Sequence, residues 1–411
     1  MDYWEIIKET LPFMTVFAVF LGMIVGSFVN VCVWRLPRGE SLSSPGSHCP
    51  KCNHAIRPWE NIPVISWLLL RGRCSNCRLP ISIRYPLVEM ATGVVFGVVW
   101  LRVYSAHLPL SLLPAYFFLS GALVAVTLID LEFLIIPNKI TFSGIGVALL
   151  LAVVFPQSHL PENAVLTGVF QDHLMVGWLV DGLMPVCPWL FHWPWALALL
   201  DGLVGILVGG GILWVILEAG KRIWGRRLYH VSEPVKAVLT PTGVVVGDAF
   251  QTDWDEIFFR RNDRFKAVAT SIELQESEGA DADSTGGTVS GELVVSRQWL
   301  VVDGRRLPWN KVTKVTAMVT QWSVPREVMG LGDLKFLAMV GAFLGGDACI
   351  FILMISAIIG SIIGVGLMVF TPMKRHVQLP FGPFLALGTF IWMLAGSNLL
   401  LWYGRWLTGL L

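Results

Sequence analysis

Long apolar stretches recur along the chain, and each approaches the roughly 20 residues that carry an α-helix across a bilayer. Eight are legible, at 11–34, 86–105, 109–129, 140–156, 194–217, 327–345, 348–370 and 380–404. The fourth is short, and the sixth and seventh are separated only by Gly345-Gly346-Asp347. Across 411 residues, 55% are hydrophobic and 14% charged, and the mean hydropathy is +0.65. No soluble globular domain needs so much apolar surface. The expected fold is an all-α polytopic membrane protein with about eight transmembrane helices. The first stretch is too long for a signal peptide and lacks a basic leader and a small-residue cleavage site, so it is expected to remain as a helix.

Charge is distributed unevenly. Segments 35–84, 221–326 and 371–379 hold most of the Lys and Arg, whereas 103–108 and 157–193 hold none. The positive-inside rule then places 35–84, 131–139, 221–326 and 371–379 in the cytoplasm, with both termini outside. The expected organisation is a first helix at 1–34, a cytoplasmic cysteine-bearing domain at 35–85, and helices over 86–227 with an external loop at 157–193. A cytoplasmic insertion at 228–325 and C-terminal helices at 326–411 complete it. In the external loop, Trp178, Trp189 and Trp193 suit the membrane interface, and His159, His173 and His192 are too irregularly spaced to suggest a metal site. The insertion is expected to be β-rich, with strand-like runs at 237–240, 244–246, 292–296 and 299–304 and an acidic, small-residue stretch at 275–288 expected to be disordered. No internal repeat is evident in it, nor any motif that points to chemistry.

Two C-x-x-C pairs, Cys49-Cys52 and Cys74-Cys77, are separated by 21 residues (74 − 52 − 1). Four thiolates on two tight turns suit a tetrahedral structural zinc ion, and a cytoplasmic setting argues against disulfides. His48 and His54 are expected to be bystanders, and Cys32, Cys187 and Cys349 to be packing residues.

Asp130 and Asp333 lie 203 positions apart (333 − 130), each at the edge of an apolar stretch and each on the predicted cytoplasmic side. A carboxylate there is costly and so reads as functional by default. Asp333 can cap the helix that follows it, but Asp130 closes a helix, the unfavourable end for an anion. Two facing carboxylates can share a proton and activate water, so the pair is the candidate catalytic site, titrating as a unit. Glu89, inside the second helix, is a candidate polar support; Glu132, Asp201 and Asp347 are the other acidic candidates.

The chain also contains Gly26-Ser-Phe-Val-Asn30, Arg35-Leu-Pro37, Asn61-Ile-Pro63, Arg84-Tyr85-Pro86-Leu-Val-Glu89, Gly330-Leu-Gly332-Asp333 and Pro380-Phe-Gly382-Pro383. Together these resemble the bacterial type IV prepilin peptidases, GxGD aspartic proteases, over roughly 11–156 and 326–400. The resemblance implies an inner-membrane endopeptidase that cuts the basic leader of prepilins or pseudopilins after a Gly at the cytoplasmic membrane face. It implies Asp130 and Asp333 as the catalytic pair and Cys49, Cys52, Cys74 and Cys77 as the family's tetracysteine motif. It further implies N-methylation of the new terminus with S-adenosylmethionine, and partners in the pilus or type II secretion machinery besides membrane lipid; no nucleic-acid partner is expected. The family connects its two aspartate motifs by a much shorter segment, so 157–193 and 228–325 are departures from its pattern. A membrane protease for other substrates, or a zinc-bearing scaffold or transporter, are the competing readings.

Overall fold

A computed structural model describes residues 3–158, 193–224, 226–247, 250–258, 263–276, 290–302, 304–325, 330–370 and 379–407. They form two compact units: Met1–Trp214 with Leu331–Leu411, and Val215–Gly330. The histidines and most tryptophans of the expected external loop, Cys187, and most of the expected disordered stretch lie outside the described residues.

The first unit is helical. In chain order the helices are α1 (Tyr3–Arg35), the short α2 (Ile65–Leu69), α3 (Arg84–Ser105), α4 (Leu113–Phe133), α5 (Asn138–Val154) and α6 (Pro194–Trp224). The short α7 (Trp254–Ile257) belongs to the second unit, and α8 (Leu331–Phe370) and α9 (Gly382–Leu407) follow it. Among the described residues, α1, α3, α4, α6 and α8 contain stretches long and apolar enough to cross a membrane, and α5 and part of α9 are shorter apolar helices. The chain is a multi-pass membrane protein. At 1.5 Å per residue, the 40 residues of α8 would reach about twice the thickness of a bilayer core. The helix is broken at Gly345, where φ is 80° and ψ 176°, a conformation essentially confined to glycine. The two apolar stretches that meet at Gly345-Gly346-Asp347 are thus two consecutive helical segments.

The second unit carries the β-rich insertion expected within an otherwise helical chain. Its strands are β1 (Arg226–Leu239), β2 (Gly243–Val246), β3 (Phe250–Asp253), β4 (Phe265–Glu276), β5 (Gly291–Val295), β6 (Trp299–Val302), β7 (Arg305–Pro308) and β8 (Val312–Pro325). They form one antiparallel sheet in the order β3-β2-β1-β8-β4-β5-β6-β7. The four strand-like runs fall in β1, β2, β5 and β6. The long β4 and β8, which join the two sides, were not anticipated. Every second residue is buried from Val315 to Val319 in β8, with Val315, Ala317 and Val319 facing the core beside Phe265, Leu293 and Leu300.

The sheet also contains the repeat that the sequence conceals. Exchanging β1-β2-β3-β4 with β5-β6-β7-β8 reproduces the same strand order read backwards. The bonding follows the exchange. The Trp254 indole N–H donates to the Thr240 carbonyl at 2.7 Å, and that of Trp309 donates to the Ser296 carbonyl at 3.1 Å. Thr240 N–H donates to Gly243 O at 2.9 Å, and Ser296 N–H to Trp299 O at 2.8 Å. In register, Ala267 opposite Trp322 answers Ala317 opposite Ile272. The two Trp rings meet with centroids 6.2 Å apart. Each half lends its last strand to the other, so the likeness lies in spacing and hydrogen bonding more than in residue identity.

Candidate active site and metal centre

Asp130 lies in the last turn of α4, which ends at Leu134 in a left-handed conformation (φ 55°) whose N–H donates to the Asp130 carbonyl. Asp333 lies in the first turn of α8. Both side chains are buried, at 5% and 8% exposure, and they are within electrostatic reach of each other. The segment after Asp130 holds them in one place. Ile136 packs between Gly332 and Gly382: a Cβ on either glycine would come within 3.0 or 3.3 Å of its side chain. Lys335 Nζ donates to Asn138 Oδ1 at 2.8 Å, linking α8 to the start of α5.

A third element completes the site. The Gly382 N–H, at the first position of α9, donates to Asp130 Oδ2 at 2.9 Å. The first amides of a helix have no partner within it and carry its positive end. Asp130 therefore does receive a helix N-terminus, though not that of its own helix; the reading that capping does not explain it considered α4 alone. A Cβ at Gly382 would lie 2.7 Å from Asp130 Oδ2, so the close approach requires glycine. Gly382 stands in the recognised Pro380-Phe-Gly382-Pro383 motif, but nothing in its spacing links it to a residue 252 positions away.

The other acidic candidates are elsewhere. Glu132 pairs with Arg84 at 2.5 Å, joining the segment after α4 to the start of α3. The carboxylate of Asp201, on α6, stands against the break at Gly345, and Asp347 lies just beyond it. Glu89 is buried in α3 and accepts the Val64 N–H at 2.7 Å. Ser27 of α1 lies beside it. Arg35, not singled out as a site residue, is buried and donates to the carbonyls of Ser41 (2.9 Å) and Pro45 (2.7 Å), shaping the start of the cysteine loop.

In that loop, the sulfurs of Cys49, Cys52, Cys74 and Cys77 all lie within 4.8 Å of one another. Cys49 and Cys77 are 3.9 Å apart, and Cys52 and Cys74 are 4.0 Å apart. Zn–S bonds of about 2.3 Å in a tetrahedron imply sulfur separations of about 3.8 Å, so the four residues fit the ion. Two matching turns present them. Cys49 N–H donates to His54 O and Cys74 N–H to Leu79 O, each at 2.9 Å, with Asn53 and Arg78 at φ 56° and 58°. The His54 amide, chiefly, pulls the Cys52 thiol down to about 6, and turn amides also lower that of Cys74. At Cys77 the Leu79 amide favours the thiolate too, but burial and the three neighbouring sulfurs outweigh it and lift the thiol to about 11. The first thiolates form easily and the last is resisted, as expected of a cluster that needs a cation. His48 bonds the Gly46 carbonyl and His54 faces Glu60 at 3.6 Å; neither belongs to the sulfur cluster. Cys32 and Cys349 are buried among helices.

Residues 20–103 match the bacterial peptidase A24 N-terminal domain, and residues 300–365 match the type IV leader peptidase family. The second match contains Asp333, and Asp130 lies between the two. The chain is 37% identical over 206 residues to a prepilin leader peptidase/N-methyltransferase of Myxococcus xanthus, covering 49% of this chain and 57% of that protein. It is 37% identical over 163 residues to the protein of that name from Neisseria gonorrhoeae, covering 34% and 56%. It is 25% identical over 423 residues to that of Aeromonas hydrophila, covering 96% and 95%. The alignments with the Myxococcus and Neisseria relatives thus span little more than half of their lengths. No solved structure matches the chain. Two family models thus match separate parts of the chain, and the similarity to the Aeromonas relative runs nearly end to end.

Proposed function

We propose that this protein is an intramembrane aspartic endopeptidase that removes the basic leader of prepilins or pseudopilins, cutting after a Gly at the cytoplasmic face of the inner membrane. The observation that carries the reading is the convergence of Asp130, Asp333 and the Gly382 amide at one buried point, from three helices far apart in sequence. One carboxylate, ionised, takes a proton from water as the oxygen attacks the scissile carbonyl. The other, protonated, donates to the carbonyl oxygen as charge develops there. Collapse of the tetrahedral intermediate breaks the C–N bond, and the proton taken from water passes to the leaving amine. No role is assigned to one member of the pair alone.

Eight spans, counting the two parts of α8 separately, and the Lys/Arg distribution support an orientation with both aspartates toward the cytoplasm. Zinc held by Cys49, Cys52, Cys74 and Cys77 would give the loop between α1 and α3 a fixed shape. N-methylation of the new terminus with S-adenosylmethionine follows from the names of the relatives, and no residue is assigned to the methyl donor. Those names do not favour a general membrane protease, a scaffold or a transporter. Pilus or type II secretion components are the expected machinery.

The test is mass spectrometry of a prepilin co-expressed with this protein. The expected product lacks the leader and carries one added methyl group at its N-terminus. An uncut prepilin would refute the peptidase, and a cut but unmethylated product would refute methylation.

A further inference from the structure

The loop between α1 and α3 is rich in Lys and Arg, yet its central part exposes apolar side chains. Trp59 is 61% exposed, Ile65 47%, Leu68 61% and Leu69 77%. The inner side of α2 explains their orientation. Ser66, buried, donates to the carbonyls of Trp59 and Ile62, and the Trp67 indole N–H donates to Ile81 O at 3.2 Å. Ile65, Leu68 and Leu69 are left on the outer side. The segment is also held at a defined depth. Glu89 is the sixth residue of α3, so about 7.5 Å along the helix from Arg84, and its carboxylate holds the amide that opens α2. That amide belongs to Val64, at the centre of a tight turn closed by Ile65 N–H to Pro63 O, with φ 60° and ψ −49°. A β-branched residue is strained in that conformation, and the bond to Glu89 offsets the strain.

The geometry points to segment 58–73 as an interfacial membrane anchor, with Trp59, Ile65, Leu68 and Leu69 seated in the headgroup–acyl boundary of the bilayer that α3 crosses. Three observations favour lipid as the occupant. Glu89 ties α2 beside the end of the apolar helix α3, about 7.5 Å along its axis from Arg84, on the scale of the 5–10 Å to which interfacial helices embed. The apolar surface continues onto the lipid-facing side of the helices, through exposed Ile83 and a groove of about 320 Å³ between α3 and α4 lined by Arg84, Leu87, Ala91, Val124 and Leu128. The flanks carry the matching charge. Between 41 and 83 the sequence has Lys51, Arg57, Arg71, Arg73 and Arg78 against a single acid, Glu60, which is occupied by the Arg57 amide and His54. Arginines beside exposed apolar side chains suit anionic headgroups. So seated, the cysteine cluster sits against the membrane surface instead of hanging free in solvent.

The experiment uses the full-length protein in phosphatidylglycerol/phosphatidylcholine nanodiscs, with benzoylphenylalanine replacing Leu69 or, as a water-facing control, Gly46. After irradiation, intact-mass spectrometry should show a phospholipid adduct at position 69 and none at 46. No lipid adduct at 69, or cross-linking there to protein in its place, would overturn the proposal. Glu89→Gln keeps an acceptor for the Val64 amide and should retain the adduct, whereas Glu89→Ala should reduce it; an unchanged yield in Glu89→Ala would overturn the depth-setting role. Equal yields in nanodiscs of phosphatidylcholine alone would overturn the role of the arginines.

Discussion

Asp130 ends a helix, where the backbone dipole disfavours an anion, and the amide of Gly382 supplies what α4 cannot. The contact leaves no room for a side chain. In Gly382→Ala the new methyl group would meet Asp130 Oδ2 at 2.7 Å, so the carboxylate or the start of α9 must move. A shift of this kind at a catalytic group can cost about 10²-fold in rate. Steady-state cleavage of a purified prepilin by Gly382→Ala should fall by about that factor. A wild-type rate would mean that the amide does not position Asp130. None of this was legible in the sequence, which offered the two aspartates as candidates only. A carboxylate at a membrane edge announces itself by its cost, whereas a backbone amide that bonds it across 252 positions leaves no compositional trace.

At the scale of elements, two features make separable predictions. The break in α8 depends on Gly345, whose φ of 80° with ψ 176° no side-chain-bearing residue adopts readily, and whose Cβ would stand 3.0 Å from the Asp201 carboxylate. Gly345→Ala should destabilise the protein by about 1–3 kcal/mol, read as a lower midpoint of thermal unfolding in detergent. An unchanged midpoint would show that the break tolerates a side chain. The cysteine turns should hold about one zinc ion per chain, lost on Cys74→Ser, as metal analysis of purified protein would establish; absence of metal from the unaltered protein would contradict the site. The cysteine spacing was readable because metal ligation fixes both residue type and interval. The sheet was readable only in part. Short runs between turn signals disclosed β1, β2, β5 and β6, but β4 and β8 pair with each other and with the far half of the chain, so local pattern understated them. The repeat stayed hidden because its invariants are a Trp bonded to a carbonyl and a register, and few residues coincide.

For the whole molecule, the question is how one buried site tolerates 203 positions between its aspartates. The sheet unit offers an answer. Its first and last strands pair directly, with Arg226 opposite Pro325, so the chain enters and leaves through neighbouring positions. An insertion whose ends lie side by side interrupts its host little, and lengthening a connection raises closure entropy only logarithmically. The unit has its own core around Trp254, Phe265, Leu300 and Trp309. Residues 226–325 expressed alone should therefore be soluble and unfold cooperatively with a strand-rich circular dichroism spectrum. A non-cooperative or aggregated fragment would mean that the core needs the rest of the chain.

The central claim is that Asp130 and Asp333 act as one pair. The most direct measurement is leader cleavage by Asp130→Asn, Asp333→Asn and the double variant, purified in nanodiscs and compared with the unaltered protein. Members of one catalytic unit are grossly non-additive. Each single variant should fall to the same floor as the double. Wild-type cleavage by either single variant, or a double variant slower by the product of the two single losses, would contradict the pair.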